Sequence, residues 1–212
     1  MTAGPDLARL DLASFSERLA ARTPTPGGGS VAAYLVAAGA GLVAMAFRFT
    51  SGPKYAAVEG AMGERASALE EIRVRAIELV DADSSSYDAV TAAYGLPKTT
   101  DAEKVRRTAA VQRALIGALE VPLETMGKAV AALRIAAAGA PDINKNLASD
   151  CATGSWCLWS AAEGAALNVK INAASLADRG LAEMRLAECE RILREASALA
   201  ESARTSAARH LP

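Results

Sequence analysis

From Lys54 to Tyr94 the chain carries no proline, and its only glycines there, Gly60 and Gly63, fall near the start. Gly95-Leu96-Pro97 follows, a cap glycine and a breaker of the kind that ends a helix. An uninterrupted helix over that segment would extend about 60 Å at 1.5 Å per residue. A second long segment opens on Thr100-Asp101-Ala102-Glu103, a capping box, and reaches about Ala138, with Pro122 expected to kink it midway. The loop GAPDINKNLAS then leads into a helix from Asp150 to Leu176, and an amphipathic helix covers Asp178 to Arg209. Residues 6–21 also show helical spacing and stop at a proline-rich loop. Long helices with short connections pack as an up-down bundle.

The stretch Val31 to Phe47 is almost wholly apolar, with Ala33, Ala37, Gly41 and Ala44 at three- and four-residue intervals. Small residues so spaced also occur in lipid. The run is about 17 residues, the lower edge of a membrane span, and Arg48 closes it while every other helix is amphipathic. The reading adopted is a buried helix of a soluble protein, tightly packed or at a subunit interface. Composition agrees, being 51% hydrophobic but 4% aromatic, rich in helix formers and poor in strand formers. The expected fold is all-α, an up-down bundle of long helices forming one domain over residues 1–212.

Net charge is −1, from 23 basic and 24 acidic residues spread along the chain. No basic stripe is available for a phosphate backbone or an anionic bilayer, so neither nucleic acid nor membrane is expected as a partner. The N-terminus lacks a charged segment leading into an apolar one, and three cysteines, Cys151, Cys157 and Cys189, form no CxxC pair. Both features suit a reducing cytoplasm. The only histidine is His210, two residues from the end, which disfavours Ser-His-Asp, Cys-His and HExxH chemistry. Carboxylates, amides, lysines and hydroxyls remain.

Two polar clusters sit on faces that should be apolar. On the Lys54–Tyr94 segment, Ile72, Ala76, Val80, Tyr87, Val90 and Tyr94 form one stripe, and Asp83 falls inside it while Asp81 points to solvent. A carboxylate so placed needs a cation, hydrogen-bond donors or a wet pocket; Ser84 to Ser86 beside it suggest wetness. An internal ion pair or a helix cap is the structural alternative. On the following helix, Asp150, Gly154, Cys157, Ala161, Gly164, Asn168 and Asn172 share one side, which describes either a trough for a flat ligand or close helix packing bridged by asparagines. The third feature is Gly27-Gly28-Gly29-Ser30 at a helix start. It lacks the lysine of a nucleotide P-loop and a preceding strand, yet free N–H groups there favour a carboxylate or a polar ring edge. A plain connector is the competing account.

Several stretches of the chain resemble the cyclodeaminase/cyclohydrolase family of folate enzymes. They are Pro24-Thr-Pro-Gly-Gly-Gly-Ser30, Lys54-Tyr55, Asp81-Ala-Asp83 with Tyr87, and Ala93-Tyr-Gly-Leu-Pro-Lys98 with Thr100, Glu103, Lys104 and Arg107. Further on come Val121-Pro122-Leu123, Asn144-Lys-Asn146-Leu-Ala-Ser-Asp150 and Ala166-Leu-Asn168-Val-Lys-Ile-Asn172. Ile143 stands where the family usually has glycine, Gly52-Pro53-Lys54 replaces a lysine run, and Trp156 and Trp159 are bulkier than expected; these departures are expected to touch the pocket edge.

The resemblance implies a helical bundle that dimerises and a tetrahydrofolate derivative as ligand, with no cofactor beyond that substrate and no metal. It implies that Gly27, Gly28, Gly29 and Ser30 let backbone approach the pterin or its p-aminobenzoyl-glutamate tail, and that Lys54, beside Tyr55, and Lys98 pair with tail carboxylates. Asp83 becomes the proton-transfer group, with Asn144, Asn146, Asp150, Asn168 and Asn172 orienting pterin or water. The reaction expected is hydrolysis of 5,10-methenyltetrahydrofolate to 10-formyltetrahydrofolate, preferred because no formiminotransferase segment is attached. The alternatives are release of ammonia from formiminotetrahydrofolate and non-catalytic folate binding.

Overall fold

The computed structural model describes residues 6–210 of the chain. Among them the backbone forms six α-helices and no strand: α1 (Leu12–Ala20), α2 (Gly28–Arg48), α3 (Glu59–Tyr94), α4 (Asp101–Gly139), α5 (Ala148–Ala174) and α6 (Arg179–Ala208). Local sequence sets most of these boundaries. Asp11 and Asp178 accept backbone N–H groups from Ser14 and Leu181, and Thr100 with Glu103 forms the expected reciprocal capping box. Gly27 caps α2 and has no side chain to satisfy its first N–H groups. Helix α2 therefore begins inside the glycine triplet, three residues before Val31.

Helix α2 lies between α3 and α5; α4 packs on α3 and α5, and α6 covers α4 and α5. One core runs through all five. By length and composition α2 is apolar enough to cross a bilayer, and 61% of its most apolar window is buried inside the bundle. Its approach to α5 is close because glycines face each other. A Cβ on Gly39 would stand 2.7 Å from the Gly154 carbonyl oxygen, and one on Gly154 2.8 Å from that of Gly39.

The stretch expected as one helix over residues 6–21 is broken. Leu7–Arg9 forms a 3-10 turn and Asp11 starts a new helix. Asp81, expected to face solvent, explains the break: its Oδ1 accepts the N–H groups of Leu7 (2.7 Å) and Ala8 (3.3 Å). That bond draws Leu7 into a small cluster with Ala33, Leu79 and Val80. Asp81 thus ties down the N-terminal segment. At Pro122 the helix α4 continues unbroken. Proline has no N–H to return to the carbonyl four residues back, and the orphaned Ala118 oxygen accepts instead from Asn172 Nδ2 on α5, at 2.8 Å.

Ser30, in the first turn of α2, touches Asp83. Residues 84–94 of α3, about 17 Å of helix, therefore extend past the start of α2 with the first part of α4 beside them. This arm overhangs the site described next.

Candidate active site

Asp83 is brought to the mouth of α2 by helix packing that leaves no room for a side chain at Gly29. A Cβ there would lie 2.0 Å from Asp83 Oδ1, so glycine at 29 lets the carboxylate reach the free N–H groups of the helix start. Ser30 Oγ donates to Asp83 Oδ2 at 2.8 Å, and the Ser30 backbone N–H also donates to the carboxylate. Behind this pair the buried Ser84 hydroxyl lies 3.3 Å from Ser30 Oγ. Burial pushes the Asp83 carboxyl above the usual aspartate range, and the two Ser30 donors partly offset that push. No cation pairs with Asp83 among the described residues.

The carboxylate opens into a cavity of about 410 Å³. Pro24, Thr25 and Gly27 to Gly29 form its floor, while Tyr87, Val90 and Tyr94 on the overhanging arm of α3 form one wall. Leu115 and Ala118 of α4 and Asn168, Ile171, Asn172 and Ser175 of α5 complete it. Asp83 is the only charged residue in this lining. Asn172 spends its Nδ2 on Ala118 and Asn168 spends its own on the Gly164 carbonyl (3.3 Å). Each amide keeps its oxygen as an acceptor on a residue that lines the cavity. The site therefore offers one carboxylate, two amide oxygens, N–H groups at a helix start without a side-chain cap, and two tyrosine side chains, with the Arg107 guanidinium 5.4 Å from the Tyr94 ring centre. Among the described residues no three His, Cys, Asp or Glu side chains converge.

The remaining sequence-derived residues divide. Lys98 lies on the exposed α3–α4 connection, four residues past Tyr94 and outside the cavity lining. Lys54 and Tyr55 occupy a 3-10 turn between α2 and α3, with Lys54 Nζ 5.2 Å from the Tyr55 ring centre. Asn144 is fixed to the far end of α2, its Nδ2 on the Phe49 carbonyl and its N–H on Thr50 Oγ1, both at 3.0 Å. Asn146 and Asp150 follow at the start of α5. These five residues sit at the opposite end of α2 from Gly29, about 30 Å away by helix rise. Within one chain they do not meet Asp83.

Of the two readings open for the small-residue side of α5, close helix packing is the one observed: α2 fills it at Gly154, and only Asn168 and Asn172 line the Asp83 cavity. The departures expected at the pocket edge lie elsewhere. Ile143 is 3% exposed within the core. Trp156 and Trp159 border a separate cavity of about 320 Å³ on the α5–α6 face, so neither touches the Asp83 pocket. Beyond Asp83 the stripe expected to be apolar splits: Val90 still packs against the core, whereas Tyr87 and Tyr94 are 46% and 48% exposed. A polar residue in an apolar stripe, followed by tyrosines, was the available signal.

The sequence profile of the formiminotransferase-cyclodeaminase family matches residues 11–191. A methenyltetrahydrofolate cyclohydrolase of Methylorubrum extorquens is 40% identical over 189 residues, covering 89% of this chain and 91% of that protein. The formimidoyltransferase-cyclodeaminase of Rattus norvegicus is 34% identical over 200 residues, 91% of this chain but 36% of its own length. Among solved structures, a formiminotetrahydrofolate cyclodeaminase from Thermotoga maritima superposes with a TM-score of 0.79 at 28% identity, covering 96% of both chains. The chain belongs to the formiminotransferase-cyclodeaminase family.

Proposed function

We propose that the protein hydrolyses 5,10-methenyltetrahydrofolate to 10-formyltetrahydrofolate, as a homodimer in the cytoplasm. The observation that carries this reading is a lone carboxylate, Asp83, in a cavity otherwise lined by uncharged groups. A methenyl bridge is a cationic amidinium, and a single buried carboxylate without a cation beside it favours that charge. Similarity to the Methylorubrum extorquens cyclohydrolase over nearly the full length of both chains supports the same reaction.

In this reading the pterin lies between the tyrosines of α3 and the glycine floor, its ring N–H groups turned to the Asn168 and Asn172 oxygens. Asp83 accepts a proton from water as the oxygen attacks the methenyl carbon. It then returns that proton to N5 as the C–N5 bond breaks. The carbinol O–H proton is released to solvent when the carbon–oxygen double bond forms, so the step yields the 10-formyl product and one proton. Ser30 holds the carboxylate in place and Gly29 keeps the approach clear. Fixing water and bridge against the base supplies the orientation term.

Similarity to the Thermotoga maritima cyclodeaminase supports a second reading, in which the same carboxylate protonates departing ammonia. Loss of the methenyl absorbance band with pure protein separates the two. Decay well above the spontaneous rate, without ammonia release from the formimino substrate, supports hydrolysis; the reverse result replaces it with the second reading.

A further inference from the structure

The buried polar side chains among the described residues are all hydroxyls: Ser30, Thr50, Ser84, Thr125 and Ser155. Three of them do what a hydroxyl on a helix ordinarily does and bond the carbonyl four residues back. Thr50 donates to Ala46, Thr125 to Val121 and Ser155 to Cys151, at 2.8–3.0 Å. Ser84 does not. It stands well inside α3, yet its Oγ lies 3.3 Å from Ser30 Oγ on α2, and among the described residues it has no other hydrogen-bond partner. Two serines alone could share a proton either way round, but Asp83 removes that freedom. An ionised carboxylate only accepts, so Ser30 Oγ donates to Asp83 Oδ2 at 2.8 Å. The one Ser30 hydroxyl proton is then spent, and Ser84 has to be the donor between the serines. Ser86 does not compete, because its hydroxyl donates to the Asp83 backbone carbonyl at 2.7 Å.

We infer that Ser84 is a positioning residue for the reaction: its buried hydroxyl donates to Ser30, commits the Ser30 proton to Asp83 Oδ2, and leaves Oδ1 as the oxygen that exchanges a proton. Two O–H groups in line strengthen each other, more so where water is excluded. A proton placed on Oδ2 would oppose them unless both hydroxyls turned round, and the Ser84 hydrogen would then be buried without an acceptor. Oδ1 is the oxygen to which Gly29 gives room, since a Cβ at that position would stand 2.0 Å from it. The direction of the hydroxyl chain follows from these distances; its part in catalysis rests on Asp83 being the proton-transfer group. Few other groups near Asp83 titrate or carry charge. Tyr87 and Tyr94 line the cavity from α3, and the Arg107 guanidinium of α4 lies by the Tyr94 ring. Asp81 is turned away onto the Leu7 and Ala8 N–H groups, and α2 and α5 add no charged or titratable residue to the lining.

The test is the pH dependence of full-length variants acting on 5,10-methenyltetrahydrofolate. Ser84→Ala should move the acidic limb of kcat/KM to higher pH. The loss is about 2–10-fold at the foot of that limb, the reach of one neutral hydrogen bond, and vanishes toward the plateau. Ser84→Cys fills the same space with a weak donor and should shift the limb as alanine does, which separates the hydrogen bond from packing. In a Ser30→Ala background, Ser84→Ala should move the limb no further, because Ser84 reaches the carboxylate only through Ser30. Carbon-13 titration of the Asp83 carboxyl in the ligand-free variants reads the same shifts without turnover. A midpoint raised by Ser84→Ala with no matching change in kcat/KM would uphold the hydroxyl chain and overturn the role given to Asp83, and with it the catalytic part of the inference. An unmoved midpoint, a loss of kcat/KM equal at every pH, a cysteine variant indistinguishable from wild type, or Ser30→Ala and Ser84→Ala shifts that add would each overturn the inference.

Discussion

At the scale of single residues, Asp83 is held under opposing influences. Burial raises its pKa from 3.8, and the Ser30 hydroxyl and N–H restrain the rise. The folded chain therefore keeps this proton at pH values where the unfolded chain has lost it. Stability falls as pH climbs through that interval, and the cost is complete once the folded carboxyl has ionised. Asp83→Asn removes the cost while keeping an oxygen for Ser30. Thermal melts should place the variant at or above the wild type at pH 7, with the difference shrinking as pH drops toward 3.8. Turnover should fall about 10²–10⁴-fold. A variant that melts lower across the whole range would make Asp83 a structural residue. Ser30→Ala gives the companion result: with two donors reduced to one, the carboxyl titrates higher, and the acidic limb of kcat/KM moves to higher pH.

At the scale of elements, the helices were legible in the sequence because each carries its own boundary, Gly95 with Pro97 and Thr100 with Glu103 being the clearest. Relations between elements were less so. Wheel geometry placed Asp83 inward correctly but assigned Asp81 to water, since nothing local shows that the N-terminal segment will lay its Leu7 and Ala8 N–H groups there. The small side of α5 fitted a trough and a packing seam equally, and only the facing glycine on α2 decides between them. The bond from Asn172 to Ala118 was hidden for the same reason: it answers a carbonyl orphaned by Pro122 in another helix. That origin predicts a coupling. Asn172→Ala should cost about 1–3 kcal/mol by leaving the Ala118 oxygen unpaired. In a Pro122→Ala background, residue 122 regains an N–H for that oxygen, and the same substitution should cost much less. Denaturant melts of the four proteins measure the coupling; additive losses would mean that the proline and the amide act separately.

At the scale of the whole molecule, the cavity belongs to no single helix. The start of α2, the arm of α3, the middle of α4 and the end of α5 each supply a wall, so a ligand there ties together elements distant in sequence. Binding restricted to the folded state at about one hundred times Kd adds about 2.7 kcal/mol, which in a chain of this size raises Tm by about 5–11 °C. Filling the cavity without disturbing its walls isolates this effect. Gly28 is suited to that purpose: it lines the cavity, its φ lies outside the positive range, and a Cβ built on it meets nothing within 4 Å. Gly28→Trp should melt within a few degrees of wild type in the absence of ligand. A stable reduced folate should then raise the Tm of the wild type and leave that of the variant unmoved. An equal rise in both would place the folate elsewhere, with the Trp156–Trp159 cavity on the α5–α6 face as the next location to probe by the same substitution strategy. A fall in the variant's own Tm beyond about 10 °C would show instead that the glycine end of α2 is packed more tightly than its open surroundings indicate.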